Sequence, residues 1–98
     1  MVEQSADQLN EEFERYVKHV QEHKEEMKKS QPRELLLSVY AHGRQGKLGD
    51  NNDPKPGMLD IAGKMKYKAY ANLKGMDQTE AKKKFLELAK GIFGELKQ

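Results

Sequence analysis

An all-α fold of four helices in one domain follows from three observations. Apolar residues recur at three- and four-residue steps in four separate segments, no segment alternates apolar and polar residues for long, and 98 residues leave room for a single modest core. The domain is expected to occupy the whole chain, residues 1–98, with an ordered core from about residue 8 to about residue 97 and a flexible first few residues.

The first helix is read from Ser5 or Asp7 to Glu26, with Leu9, Phe13, Tyr16, Val17 and Val20 on one face. Its tail, Glu22 to Lys29, reads as polar. Pro32 permits a new start, and Glu34 to Gln45 forms the second helix. Leu35, Leu36, Leu37, Val39 and Tyr40 make that helix apolar over more than the one stripe a packed face needs. The third helix runs from about Ala62 to Lys74 and stops at Gly75, with Met65, Ala69 and Leu73 on one stripe and Lys66 and Tyr70 on another. Asp77 and Glu80 form a variant capping box for the fourth, whose inner face carries Ala81, Phe85, Leu88, Ile92 and Leu96. Gly91 and Gly94 weaken its end, each by about 1 kcal/mol relative to alanine in a helix interior. Between the second and third helices, prolines and flanking glycines make Gly49 to Met58 a structured surface connection, with Asp50, Asn51, Asn52 and Asp53 as turn formers bonding their own backbone.

Composition narrows the function. The chain is 36% hydrophobic and 35% charged, and it holds no run of about 18 apolar residues, so no membrane span or secretory leader is expected. Its lack of cysteine fits a reducing compartment and removes thiol catalysis and thiolate metal sites from consideration. A cytoplasmic monomer is the expectation, since no heptad seam runs long enough to require a partner.

Charge is unevenly placed. Residues 1–34 carry six basic and nine acidic groups, whereas residues 62–84 carry seven lysines against Asp77 and Glu80. An excess of five positive charges suits a small polyanion. It falls short of the extended basic face of a nucleic-acid binder, and no nucleic-acid partner is expected. His19-Val20-Gln21-Glu22-His23 matches the spacing of one zinc peptidase motif, but no third ligand follows, so the expectation is no metal and an exposed helix surface. His42 has no serine or carboxylate pairing that suggests nucleophilic catalysis, and no catalytic residue is expected.

The loop Gly49 to Met58, with the following Gly63-Lys64-Met65-Lys66-Tyr67-Lys68-Ala69-Tyr70, closely resembles the signature of the acyl-CoA-binding protein family. The resemblance extends over most of the chain. It implies a bundle of four helices running up, down, down and up. It also implies non-catalytic binding, buffering and intracellular transport of medium- to long-chain fatty acyl-CoA, without a cofactor, and with transient visits to acyl-CoA-using enzymes or membrane surfaces but no stable insertion. Tyr40 corresponds to the family's first ligand-contacting tyrosine, Arg44 to its following lysine, and Lys66 to its central phosphate ligand. Gly43 stands where the family has a second tyrosine, Tyr67 and Tyr70 where it has tryptophans, and Phe85 where it has a tyrosine on the last helix. The helix-one ligand lysine has no clear counterpart, Gln21 falling near it and Lys18 a turn earlier.

The expected headgroup contacts are therefore Tyr40, Ala41, His42, Gly43, Arg44, Lys64, Lys66 and Phe85, with Leu36 and Leu37 lining an acyl groove. From periodicity alone, Leu35, Leu36, Leu37, Val39 and Phe85 read as core, and Tyr40 and Tyr70 as rings at the core rim with wet hydroxyls. The competing reading is a helical protein-interaction module on the same scaffold, with weakened or lost acyl-CoA binding.

Overall fold

The computed structural model describes residues 5–52 and 54–96. Among them the chain forms five helices and no strand: α1 (Ala6–Glu22), α2 (Lys24–Ser30), α3 (Arg33–Leu48), α4 (Ile61–Ala71) and α5 (Gln78–Phe93). The all-α fold is as expected. The expected flexibility of the first few residues, the turn role of Asp53 and the far end of the core at residue 97 lie outside the described residues.

The long first helix of the sequence reading is two helices. Ser5 opens α1 with a capping box, its hydroxyl accepting from the Gln8 amide at 3.2 Å and the Gln8 side chain accepting from the Ser5 amide at 3.0 Å. His23 leaves the helical conformation at φ −111° and ψ 21°, which ends α1 and redirects the chain into α2. The tail that reads as polar carries Met27, which is buried against the core with Leu9, Phe13 and Tyr16. One apolar side chain at the right phase docks the segment.

α3 begins after Pro32, as the sequence suggests, and runs three residues past Gln45 before Gly49, at φ 79°, ends it. Gly46 continues the helix where α3 crosses α5. A methyl group there would lie 3.2 Å from the Lys82 amide nitrogen and 3.2 Å from Phe13, so the close approach of the two backbones depends on its absence. α4 is capped by Asp60, whose carboxylate accepts from the Gly63 amide at 2.8 Å. It ends at Ala71, three residues before the expected Lys74, and the chain descends through turns to Gly75 at φ 90°. Asp77 caps α5 by accepting from the amides of Thr79 and Glu80.

α3 is the central element, packed against α5 on one side and α4 on the other, while α1 packs against α5. The core gathers Leu9, Phe13, Tyr16, Met27, Val39, Phe85, Leu86 and Ala89, with Phe13 and Phe85 edge to face at 5.1 Å between ring centres. Buried Tyr16 donates from its hydroxyl to the Gly94 carbonyl at 2.7 Å and accepts from the Leu96 amide at 3.2 Å, which holds the end of the chain against α1.

The connection from α3 to α4 is organised by Gln45, which is fully buried. Its Nε2 donates to Asp50 Oδ1 at 3.0 Å and to the Met76 carbonyl at 2.8 Å. Asp50 Oδ1 also accepts from the Gly75 amide at 2.8 Å. This corrects the expectation that Asp50 bonds its own local backbone: a buried amide and a distant turn offer it better donors. Tyr70 completes the arrangement, donating to the Gly49 carbonyl at 2.6 Å.

The hydrogen bond from Gly75, then that from Gln45 and, least of all, the charge of Lys74 hold the Asp50 carboxyl below the usual aspartate range against an opposing effect of burial. A depressed carboxyl stabilises the fold above its unfolded-state pKa and loses that contribution as pH falls through the folded value. Unfolding free energy, measured by urea titration from neutral pH to below about pH 4, is therefore expected to fall more steeply in the native chain than in Asp50→Asn. Parallel curves would remove Asp50 from the acid response.

Candidate ligand groove

An open groove of about 500 Å³ lies between the α1–α2 segment, α3 and α4. That size falls within the range of about 300–1,000 Å³ usual for small-molecule sites. Its floor is apolar, built from Val17, Val20, Met27, Leu36, Leu37 and Met65. Six cationic side chains edge it: Lys24, Lys28, Arg33, Arg44, Lys47 and Lys66. Among the described residues, no acid lines the groove.

The walls follow from helical spacing. On α3 the lining residues Arg33, Leu36, Leu37, Tyr40, Gly43, Arg44, Lys47 and Leu48 fall three or four apart, or side by side, along one face. Across the groove, Val17, Val20, Gln21, Lys24, Met27 and Lys28 continue one face through the break at His23. Two amphipathic stripes thus face each other, apolar at the bottom and cationic at the top, with the long lysine and arginine stems covering apolar surface while their charges reach solvent.

The cations are not all equally committed. Lys28 pairs with Glu25 at 3.5 Å and Lys47 with Glu14 at 4.0 Å. Both pairs are exposed and long, a class contributing about 0–1 kcal/mol, so an arriving dianion competes with them easily. Lys66, from α4, holds its Nζ 5.4 Å from the centre of the Tyr40 ring on α3, and Arg44 stands 5.7 Å over the Tyr70 ring. These contacts bridge α3 and α4.

Of the residues expected at a ligand site, Leu36, Leu37, Tyr40, Gly43, Arg44, Lys66 and Phe85 line this groove together. Ala41, His42 and Lys64 do not. Ala41 is buried in the interior, and His42 Nδ1 lies 2.7 Å from the Ser38 carbonyl one turn back. Lys64 Nζ donates to the Met58 carbonyl at 2.9 Å, in the turn before α4. Tyr70 is buried rather than at a rim, its hydroxyl spent on Gly49. Phe85 contributes only what its contact with Phe13 leaves accessible, being 2% exposed.

Sequence reasoning missed Arg33 and Lys47, although both share the face of Leu36, Tyr40 and Arg44. Following that phase to the ends of the helix finds them. Lys24 and Lys28 were missed as well, although they continue the three- and four-residue spacing of Val17, Val20 and Gln21. The paired histidines lie elsewhere: His19 and His23 stack at 3.9 Å between ring centres, with Phe93 edge-on to His19 at 4.5 Å. Among the described residues no group of three or more histidine, cysteine, aspartate or glutamate side chains is placed to hold a metal.

A small helical domain with an apolar groove under a cationic rim defines a class of protein that binds an amphiphile with an anionic head. The profile of the family described as "Acyl CoA binding protein" matches residues 10–89, and the chain belongs to that family. It is similar to acyl-CoA-binding protein homolog 1 of Caenorhabditis elegans, 36% identical over 69 residues that span 70% of this chain and 80% of the relative. The Saccharomyces cerevisiae acyl-CoA-binding protein is 40% identical over 53 residues, spanning 54% of this chain and 61% of its own length. The Drosophila melanogaster homolog is 35% identical over 57 residues, 58% of this chain and 66% of the relative.

Gly43 bears on how rigid this groove is. A methyl group there would meet two Phe85 ring atoms at 3.2 Å, and that ring is already held edge-on to Phe13, whereas one at Gly91 in α5 would meet nothing within 4 Å. Gly91→Ala is expected to stabilise the protein by about 0.5–1 kcal/mol through helix propensity and chain entropy, and Gly43→Ala by clearly less. Urea denaturation of the two variants measures the difference; equal gains would mean that the Phe85 ring gives way freely.

Proposed function

We propose that this chain binds a fatty acyl-CoA thioester in the groove and holds, buffers and carries it without chemical change. The observation that carries the reading is the division of one groove into an apolar floor and a rim of six cations, with no acid among the described lining residues. Arg44, Lys66 and Lys47 receive the phosphates, arginine offering a fork of two donors and lysine a point charge. Tyr40 offers its ring to adenine, a contact of about 1–3 kcal/mol per base. Leu36, Leu37, Val20 and Met65 take the acyl chain, at about 0.8 kcal/mol per buried methylene. We assign no ligand contact to Ala41, His42 or Lys64.

The absent side chain at Gly43 and the enclosed Phe85 leave fewer aromatic contacts to the headgroup, so affinity leans on the acyl chain and the cations. The carrier works as a single cytoplasmic chain holding one ligand, and exchanges it with acyl-CoA-using enzymes. Among the described residues no helix is long and apolar enough to cross a membrane.

Isothermal titration calorimetry with octanoyl- to stearoyl-CoA, and with free CoA and palmitate as controls, tests the reading. One-to-one binding that tightens with chain length and then peaks is expected, with a weak response to either fragment. Flat traces from a helical protein would overturn it in favour of an interaction module. Lys66→Ala should weaken acyl-CoA binding by about 1.5 kcal/mol or more, the loss of a hydrogen bond to a charged group, with circular dichroism unchanged. Unaltered affinity would remove Lys66 from the phosphate contact.

A further inference from the structure

Three of the six rim cations take no part in holding the phosphates. Arg44, Lys47 and Lys66 come from the second half of α3 and from α4, whereas Lys24 and Lys28 come from α2 and Arg33 from the first turn of α3. Lys47 pairs with Glu14 in the middle of α1, and α2 leads through Gln31 and Pro32 into α3. The α1–α2 segment and α3 therefore run in opposite directions along the groove, which brings Lys24 and Lys28 beside Arg33. Arg33 and Arg44 stand eleven residues apart in α3, about 16 Å along its axis at about 1.5 Å per residue. Between them α3 turns Leu36, Leu37 and Tyr40 to the groove, and Met27, 4% exposed, lines it between the two lysines of α2. The groove is thus cationic at both ends and apolar in between. Glu25, Glu26 and Glu34 share these helices but are exposed and do not line the groove, and Glu25 meets Lys28 only in a weak surface pair at 3.5 Å.

We propose, building on the acyl-CoA reading, that Lys24, Lys28 and Arg33 form a second anion subsite, which receives a carboxylate at the ω end of the acyl chain. The preferred ligand is then an ω-carboxy fatty acyl-CoA, anionic at both ends. The phosphates of one CoA head are joined through a single ribose and do not span the two groups of cations, and a methyl-ended chain offers nothing to the second group. Arg33 presents a fork of two donors that matches a carboxylate, and the two lysines add point charges. All three residues are exposed, so the carboxylate stays partly wet and avoids the steep cost of burying a charge in apolar surroundings. Three surface charge pairs, each contributing up to about fivefold in affinity, outweigh the loss of about fourfold that comes with one buried methylene.

Calorimetry of the full chain with the mono-CoA thioesters of dodecanedioic to octadecanedioic acid, beside methyl-ended thioesters of the same lengths, tests this. The ω-carboxy thioester is expected to bind about fivefold or more tightly than its methyl-ended counterpart once the chain is long enough to reach Arg33, an advantage that shrinks with salt and is missing from the ω-hydroxy thioester. Lys28→Gln combined with Arg33→Gln, both at exposed positions, should lower the ratio of the two affinities by about tenfold or more, with circular dichroism unchanged. Taking the ratio cancels any general loss of attraction for CoA. Methyl-ended thioesters that bind while ω-carboxy ones bind more weakly at every length would overturn the subsite and leave the carrier reading standing. A preference that survives the double substitution would overturn its assignment to these residues. Flat traces with both series would overturn the carrier reading and the subsite with it.

Discussion

The buried amide of Gln45 is the point on which the arrangement of α4 depends. α4 packs chiefly on α3, so its place is decided by what happens at its ends. One nitrogen of Gln45 joins the loop after α3, through Asp50, to the turn before α5, through Met76. Asp50 repeats the link to Gly75, and Tyr70 ties α4 back to Gly49. Such a network matters more than its gross strength suggests: each neutral bond contributes about 1 kcal/mol net, whereas leaving one buried partner unsatisfied costs about 1–3 kcal/mol. The groove wall that carries Met65 and Lys66 is thereby set without a hydrophobic contact closing the groove from within.

A groove that stays open at the cost of unburied apolar surface needs a reason to persist, and the central aromatic pair provides it. Phe13 and Phe85, with Tyr16 and Leu86, build the hydrophobic contact on the side of α3 that faces α1 and α5, from which Phe85 and Val39 reach the back of the groove. Gly46 allows that side to close tightly. Leu36 and Leu37, on the other side, remain partly exposed on the floor of the groove. The excess apolar width of α3 is therefore divided between the core and a surface available to a ligand.

The distribution of charge complements this division. Glu12 of α1 pairs with Lys90 of α5 at 3.2 Å, away from the groove, and Glu14 meets the rim only through its 4.0 Å pair with Lys47. Several cations around one groove focus a positive potential there, more than the net charge of +2 suggests.

Local rules were enough for much of this. Period and capping residues located all four main helices: Pro32, Asp77 and the apolar repeats of Leu9, Phe13 and Tyr16 mean the same thing in any context. The family signature brought seven groove residues to notice, Tyr40, Arg44 and Lys66 among them. Other features required the assembled structure. The break at His23 and the docking of Met27 depend on where the core lies, and α3 outruns Gln45 because Gly46 is needed at a helix crossing. Asp50 looks like a turn former until Gly75 and Gln45 are beside it, and Lys24 and Lys28 share a rim with Arg44 and Lys66 only once α3 and α4 are packed opposite them. The sequence by itself determined the helical class, the family and the cationic character of the ligand face, since these rest on spacing and residue type. Tertiary structure decided which cations share one rim and which apolar side chains stay bare, because both depend on contacts between residues far apart in the chain.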